Sequence, residues 1–370
     1  MTPFRGTSPV QPLQELGRAI AELRLGGSVV VTGGGARWSV RAVEDADASA
    51  DHVGGRLLLT SERARALGLA VHGQGAIALS IGPTWSADDL RALADPLSGR
   101  VPLVPDGDAV GADAVQSAAI ALVKMARRLP AAIVTPVSDQ ADDRLQVTAE
   151  AVAAHPRLAG RSLKPVVEAR VPLAEAPETR VIIFRPADGG AEQMAIVVGR
   201  PRPDEPVLCR LHSECFTGDV LGSMRCDCGE QLQGALRRMT TEGAGVLLYL
   251  AQEGRNIGLA NKLRAYRLQD QGMDTVDANL HLGFRSDERL WHGAARMLEH
   301  LGIGRVRLLT NNPDKVKDMR AHGVDVVERV PHAFAANDHN RAYLRTKALK
   351  SGHALYDVID LISKPDQKAI

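Results

Sequence analysis

Three of the chain's four cysteines, Cys215, Cys226 and Cys228, fall within fourteen residues, in the segment Arg210-Leu211-His212-Ser213-Glu214-Cys215-Phe216-Thr217-Gly218-Asp219-Val220-Leu221-Gly222-Ser223-Met224-Arg225-Cys226-Asp227-Cys228-Gly229. Any fold adopted here has to accommodate that cluster, and the pattern is that of a zinc site. A structural zinc takes four protein ligands, whereas a catalytic one takes about three and keeps a position open. Three clustered thiols therefore point to a catalytic ion. The remaining cysteine, Cys209, could complete a set of four, but it ends the apolar stretch Pro206-Val207-Leu208-Cys209, where a strand buries it as a small hydrophobe. The bland alternative is a group of buried free thiols, or a disulfide. The polar, glycine-rich surroundings and the absence of cysteines beyond these four and of a secretory pattern favour a reducing compartment and a metal.

At 370 residues, 45% apolar and 24% charged, the chain has ordinary globular composition and length for about two domains. The start, Met1-Thr2-Pro3-Phe4-Arg5, lacks a signal pattern, and no apolar run of about 18 residues is present to span a bilayer. A soluble cytoplasmic protein is expected, with no membrane partner. Forty-five basic residues against 44 acidic ones leave no bulk charge to attract nucleic acid, and 3% aromatics supply no base-stacking platform.

The first half alternates helix and strand signals. Leu13, Leu16, Ile20 and Leu23 have helical spacing, Gly26-Gly27 stops them, and Val29-Val30-Val31 reads as a strand. Further strands are expected at Leu57-Leu58-Leu59 and Ile133-Val134, and helices at 61–67 and 115–128. Thr32-Gly33-Gly34-Gly35-Ala36-Arg37 invites a phosphate-loop reading, but no Lys-Ser or Lys-Thr follows, so a glycine turn is expected. Between 138 and 177 periodicity is weak, which suggests an inter-domain stretch. The expectation is an α/β (α+β) protein of two domains, 1–175 and 176–350, the second a mixed sheet with flanking helices, followed by a tail at 351–370.

In the second half, Leu232, Ala235, Leu236 and Met239 form one helical face closed by Gly243, so Cys226 and Cys228 sit just ahead of a helix N-terminus, which favours thiolates. The strand Gly245-Val246-Leu247-Leu248-Tyr249-Leu250 runs into Gln252-Glu253-Gly254-Arg255-Asn256-Ile257-Gly258, a strand-to-helix turn of the kind that holds anions or merely connects. Ser286-Asp287-Glu288-Arg289 is expected to open an amphipathic helix with Leu290, Ala294, Met297, Leu298 and Leu301 on its apolar side. Finally, the strand Arg305-Val306-Arg307-Leu308-Leu309 leads into Thr310-Asn311-Asn312-Pro313-Asp314-Lys315, which suits either a phosphate or a plain capping turn.

Together, Arg-Leu-His-Ser-Glu-Cys, Arg-Cys-Asp-Cys, Gln-Glu-Gly-Arg-Asn-Ile-Gly-Leu, Asp-Glu-Arg and Leu-Thr-Asn-Asn-Pro closely resemble GTP cyclohydrolase II, the enzyme that opens riboflavin biosynthesis, over residues 207–330. The resemblance implies conversion of GTP and water to formate, pyrophosphate and 2,5-diamino-6-(ribosylamino)-4(3H)-pyrimidinone 5′-phosphate. It implies one catalytic Zn²⁺ per subunit on Cys215, Cys226 and Cys228, Mg²⁺ accompanying the triphosphate, and a homodimer. It places GTP against Arg210, Leu211, His212, Ser213, Glu214, Gln231, Glu253, Gly254, Arg255, Thr275, Thr310 and Lys315. It also gives catalytic roles to Tyr266, beside the metal-bound water, and to Asp287 and Arg289 in the phosphate half of the reaction. In physical terms Glu253 suits the guanine amino edge, Arg255 and Lys315 suit phosphate charge, and Arg289 suits a charge clamp better than a nucleophile, since a guanidinium stays protonated.

The first half resembles, faintly, a 3,4-dihydroxy-2-butanone 4-phosphate synthase domain. The acidic stretch expected after its first strand is replaced by Val31-Thr32-Gly33-Gly34-Gly35-Ala36-Arg37-Trp38, so a degenerate, non-catalytic domain is expected. Two other functions compete with the cyclohydrolase: a related enzyme acting on another nucleotide or in pyrimidine catabolism, and a non-catalytic module that binds GTP or zinc. Retention of Tyr266, Asp287, Arg289 and all three cysteines favours the first.

Overall fold

Two seven-stranded sheets follow one another along the chain in the computed structural model, which describes residues 11–47, 54–71, 75–104, 109–138, 142–350 and 352. The segment Met1 to Arg5 and, Gly352 apart, the expected tail at 351–370 lie outside the described residues. The first sheet is built from α1 (Gln11–Arg24), β1 (Val29–Gly33), β2 (Ala36–Ala42), β3 (Arg56–Thr60), α2 (Ser61–Ala66), β4 (Ala76–Ser80), α3 (Ala87–Ala94), β5 (Ala109–Gly111), α4 (Ala114–Met125), β6 (Ala131–Pro136) and β7 (Gln146–Thr148). Its order is β5-β4-β3-β6-β2-β1-β7, and every pairing except β1 with β7 is antiparallel.

This half is therefore of the α+β kind, and the glycine run explains why. Gly33 pairs with Ala36, so Gly34 and Gly35 alone make the turn, with φ of +55° and +82°, a left-handed pair that only a tight hairpin uses. The run is a hairpin turn and not a phosphate loop.

α5 (Ala149–Ser162) packs its buried Ala149 and Val152 into the core of the first sheet and leads to the second unit, which comprises β8 (Lys164–Arg170), β9 (Thr179–Arg185), β10 (Gln193–Gly199), β11 (Val207–Ser213), α6 (Cys228–Glu242), β12 (Ala244–Leu250), the single turn α7 (Glu253–Asn256), α8 (Leu259–Asp270), α9 (Thr275–His281), α10 (His292–His300), β13 (Arg305–Leu309), α11 (Pro313–Ala321), β14 (Asp325–Val330) and α12 (Arg341–Lys350). The sheet is mixed. β14, β13, β11 and β12 run parallel, and β10, β9 and β8 continue antiparallel from β12. Apolar clusters cover both of its faces, one around Phe184, Leu211 and Met297, the other around Leu236, Met239 and Leu247.

Within the weakly periodic stretch at 138–177, the described residues from 142 onwards carry β7, α5 and β8. Its periodicity is weak because α5 buries only Ala149 and Val152, while every residue of β8 is exposed at the sheet edge. The helix expected from Ser286 starts instead at His292. Residues 286–291 are held in an irregular, non-helical path, in which Glu288 N–H donates to the Arg255 carbonyl at 3.2 Å rather than to a helical turn.

The halves are packed together through a shared apolar cluster in which Leu129, following α4, meets Ile257, Ala265, Leu268, Ala278, Leu282 and Phe284. Beside it, Thr60 Oγ1 donates to the Gly283 carbonyl at 2.7 Å and Arg63 Nη1 to the His281 carbonyl at 3.0 Å. Gly283 has φ +86°, and a Cβ there would lie 2.8 Å from Thr60 Oγ1, so both conformation and contact demand glycine. Leu129 is 2% exposed. Leu129→Ala is expected to cost about 2–5 kcal/mol of stability through the cavity it leaves. A denaturant midpoint unchanged by this substitution would show that the halves do not unfold as one unit.

Candidate active site

In a parallel sheet, ligands gather at the carboxyl ends of the strands, where the following loops and helix N-termini converge. Here three adjacent parallel strands, β13, β11 and β12, deliver their loops to one edge. β11 leads to Cys215, β12 to the turn at Glu253, and β13 to Thr310 and Lys315. Cys226 and Cys228 return to the same place at the start of α6.

The ligand-capable sulfur atoms of Cys215, Cys226 and Cys228 lie within 4.8 Å of one another, and Cys215 Sγ is 3.7 Å from Cys226 Sγ. Two thiolates on one tetrahedral zinc, each at about 2.3 Å, stand roughly 3.8 Å apart. Gly218 makes this convergence possible, because a Cβ there would meet Cys226 Sγ at 2.9 Å, Cys215 Sγ at 3.0 Å and Cys228 Cβ at 3.0 Å. The donor set and its spacing thus fit a zinc ion. Cys209 is not part of the group: it is fully buried in β11 within the core, and burial pushes its thiol up to about 12.

Sulfhydryl contacts from Cys226 and Cys228, reinforced by the Lys262 ammonium, hold the Cys215 thiol far below its ordinary range. Lys262 Nζ lies 3.0 Å from Cys215 Sγ, 2.9 Å from Thr217 Oγ1 and 2.8 Å from Glu253 Oε1. The other oxygen of Glu253 accepts from Phe216 N–H at 2.6 Å, and Oε1 also accepts from Gly254 N–H at 2.8 Å. Glu253 therefore ties the β12 loop to the cysteine loop and lines the cavity with about one of its four acceptor sites unused. One turn along α8 from Lys262, Tyr266 faces the same cavity, with the Arg225 guanidinium 4.5 Å from its ring centroid. Leu259 and Leu263 on the same helix are 38% and 47% exposed, so they do not bury Tyr266 in a core.

His212 is buried, and its Nε2 lies 3.1 Å from both oxygens of Asp219. Burial lowers its pKa, which leaves a neutral ring donating from Nε2 to the carboxylate. Asp219 also accepts from Tyr249 Oη at 2.9 Å and from Cys215 N–H at 3.0 Å, so it fixes both the histidine and the cysteine backbone.

The cavity, of about 140 Å³, is also lined by Ser213, Glu214, Gln231, Gly254, Arg255, Thr275, Thr310, Arg289 and Lys315. Its charge is lopsided: Arg210, Arg225, Arg255, Arg289, Lys262, Lys315 and Lys347 face it, against Glu214 and Glu253. Three of the cations repel one another. Burial, then Arg210 and Arg289, push Lys315 far below its ordinary pKa, and its ammonium donates to the Leu211 carbonyl at 3.1 Å. Arg210 donates to the Leu309 carbonyl at 2.9 Å and to Gln231, while its Nε is buried without a partner. Such a cluster selects a polyanion.

Two expected residues sit outside the lining. Leu211 is fully buried and contributes only its carbonyl, and Asp287 lies behind Arg289, which it grips through Arg289 Nε at 2.9 Å and Nη2 at 2.5 Å. Burial alone would raise the Asp287 pKa, but the hydrogen bonds and charge of Arg289 outweigh it and hold the carboxyl at about 2.

Sequence reading missed Lys262, Asn279, Asn311, Asn312, Tyr343 and Lys347 in the lining. Lys262 with Tyr266 and Tyr343 with Lys347 stand four apart, one face of a helix, which is the signal that was available. Lys347 Nζ bonds the buried Asp227 at 2.7 Å and thereby docks α12 onto the cysteine segment.

Gly218→Ala is expected to weaken zinc retention roughly 10–100-fold by spreading the thiols, while the core and its unfolding temperature stay close to those of the parent. Competition with a chromogenic chelator measures this; unchanged affinity would mean that Gly218 does not shape the site.

Residues 164–331 match the family described as GTP cyclohydrolase II. A "GTP cyclohydrolase-2" of Azospirillum brasilense is 52% identical over 309 residues, 80% of each chain, a length that reaches well into the first sheet. A "GTP cyclohydrolase-2" of Azotobacter vinelandii is 58% identical over 166 residues, 45% of this chain and 80% of that one. A "Riboflavin biosynthesis protein RibBA" of Parabacteroides distasonis is 50% identical over 179 residues, 48% of this chain and 44% of that one. A solved two-domain 3,4-dihydroxy-2-butanone 4-phosphate synthase from A. baumannii covers 82% of this chain and 94% of its own, at 14% identity and a TM-score of 0.31, too slight a likeness to assign a fold. With four-fifths of the chain more than half identical to the A. brasilense protein, this chain belongs to the GTP cyclohydrolase II family.

Proposed function

We propose that the chain is a zinc-dependent GTP cyclohydrolase II that converts GTP and water to formate, pyrophosphate and 2,5-diamino-6-(ribosylamino)-4(3H)-pyrimidinone 5′-phosphate, the first step of riboflavin biosynthesis. The observation that carries this reading is one cavity lined by a thiol triad and by the mutually repelling cations Arg210, Arg289 and Lys315. A nucleoside triphosphate answers both features, since its phosphates neutralise the cations and its base meets the thiol side. Mg²⁺ would enter with the triphosphate, and the active unit would be a homodimer.

Zinc on Cys215, Cys226 and Cys228 would supply Lewis acidity for the two hydrolytic steps at guanine C8. The surrounding residues do the rest. Lys262 holds Cys215 and Glu253 in place. Tyr266, kept protonated by burial, offers a hydroxyl to the reacting oxygen. Thr310, Lys315 and Arg255 receive phosphate oxygens beside the N-terminus of α11. Arg289 acts as a clamp on phosphate charge: Asp287 raises its pKa further, against burial, so no lone pair is available for attack. Asp287, so acidic, is ionised throughout the working range and serves as Arg289's anchor and a weak proton acceptor. The first half lacks a carboxylate pair after β1, and no turnover of ribulose 5-phosphate is assigned to it.

The test is turnover of GTP by the zinc-loaded protein with Mg²⁺, following formate, pyrophosphate and the pyrimidine by mass spectrometry beside Cys226→Ser. All three products, lost in the variant, are expected; a formyl-retaining product would remove Tyr266 from its role, and no turnover would sink the reading. Rapid quench should trap no phosphoryl-protein, and Arg289→Lys should lower kcat by roughly 10²-fold, because a point charge replaces a fork. The Asp287 pKa is depressed on folding, so the pair's contribution to stability is present above the free value of 3.8 and is lost as pH falls towards about 2. Activity against pH should therefore show no limb from Asp287 between about pH 5 and 9. A limb there that disappears in Asp287→Asn would contradict this.

A further inference from the structure

The turn after β12 carries an unusual backbone. Gly254, Arg255 and Asn256 are consecutive left-handed residues, with φ of +63°, +60° and +77°. Two of them have side chains, which disfavour that region, so surrounding contacts must hold the turn in place. One set comes from residues 286–288: Arg255 Nη1 donates to the Ser286 carbonyl at 2.9 Å, and Asn256 Nδ2 to the Glu288 carbonyl at 3.0 Å. The other comes from the first half of the chain. Arg127 Nη1 donates to the Asn256 carbonyl, and Lys124 Nζ meets Glu288 Oε1 at 2.5 Å.

Arg127 is itself an outlier. It follows the C-cap of α4, at the position where helices favour glycine, and it has φ +63°. An arginine in a glycine position points to a use for its side chain. Its stem also packs where a Cβ on Gly258 would fall, at 3.3 Å from Arg127 Cδ, so the strut is fitted to the turn on both sides. Asn261 Nδ2 reaches back to the Arg127 carbonyl at 3.4 Å. Across the boundary, Glu214 partly offsets the burial and the Arg24 repulsion that lower the Arg127 pKa.

We infer that Arg127, on the end of α4 in the first half, is a positioning residue for the cyclohydrolase reaction, acting as a strut that fixes the left-handed turn at Gly254, Arg255 and Asn256 for nucleotide binding. The first half thereby contributes to the site without touching substrate. The inference rests on the proposed cyclohydrolase reading.

Arg127→Asn tests it in the full-length, zinc-loaded protein, because asparagine tolerates the left-handed backbone while removing the guanidinium. Thr60→Val is the control, since it removes another buried hydrogen bond between the halves, away from the turn. A fall in kcat/KM for GTP of about tenfold or more is expected in Arg127→Asn, given that small misplacements at a site cost up to roughly 10²-fold. Zinc content and unfolding temperature should remain close to those of the parent, and millimolar guanidinium should restore part of the loss. Thr60→Val should lose activity only in proportion to stability and show no rescue. The inference is overturned if Arg127→Asn stays within twofold of the parent, or if both variants lose activity in step with unfolding temperature and neither is rescued. Should Arg127→Asn fail to fold, Arg127→Lys, which keeps the stem and charge but not the fork, carries the same comparison. A parent protein without GTP turnover would instead overturn the functional reading.

Discussion

A single buried ammonium joins the parts of this site. Burial by itself drives a lysine towards neutrality, yet Glu253 and Cys215 around Lys262 outweigh that and keep it charged. Its three partners come from different places: Cys215 and Thr217 from the loop after β11, Glu253 from the loop after β12, while Lys262 itself stands on α8. Removing the charge would leave a buried carboxylate and a thiolate unpaired, a far larger penalty than the pair's net value. The cysteine loop and the loop after β12 are thus tied to the same buried charge.

The sheet makes that junction possible. Parallel β13, β11 and β12 pair directly, so their three loops emerge side by side without long connections. Behind them the apolar clusters on both faces fix the strands, and Trp291 projects from the core to the base of the cation group, with Lys315 and Arg289 at 4.8 Å and 5.3 Å from its ring. An aromatic face beneath two cations offsets part of their repulsion without supplying a counterion. The positive field therefore stays available to a ligand.

How much of this was legible in the sequence depended on how local the signal was. The cysteine triad, the turn after β12 and the Thr310 to Lys315 loop each follow an apolar run directly, so strand, loop and helix were readable in order. The antiparallel first sheet was not, because alternation of helices and strands does not fix strand direction; the Gly34-Gly35 hairpin did. The late start of α10 escaped because Asp287 and Glu288 look like first-turn acids, whereas Asp287 grips Arg289 two residues on, and Glu288 pairs with Lys124 across the halves and gives its N–H to the Arg255 carbonyl. Lys347 escaped for a similar reason: it lies on a polar helix of little amphipathicity, and its partner Asp227 is more than a hundred residues away.

The site concentrates what folding ordinarily avoids. Arg210 Nε and His212 Nδ1 are buried without partners, Lys315 faces two guanidinium groups, and the turn at Gly254 to Asn256 is left-handed throughout. Each is unfavourable alone, and none would persist on a free-standing loop. They persist because the strands beneath are clamped by core packing on both faces, and because the first half braces the turn from outside through Lys124 and Arg127. A second domain with no carboxylate pair of its own after β1 is then still physically useful: it adds contacts at the left-handed turn of the other half. Preorganisation of this kind spares the ligand the work of ordering the loop, which raises affinity without adding a contact to it.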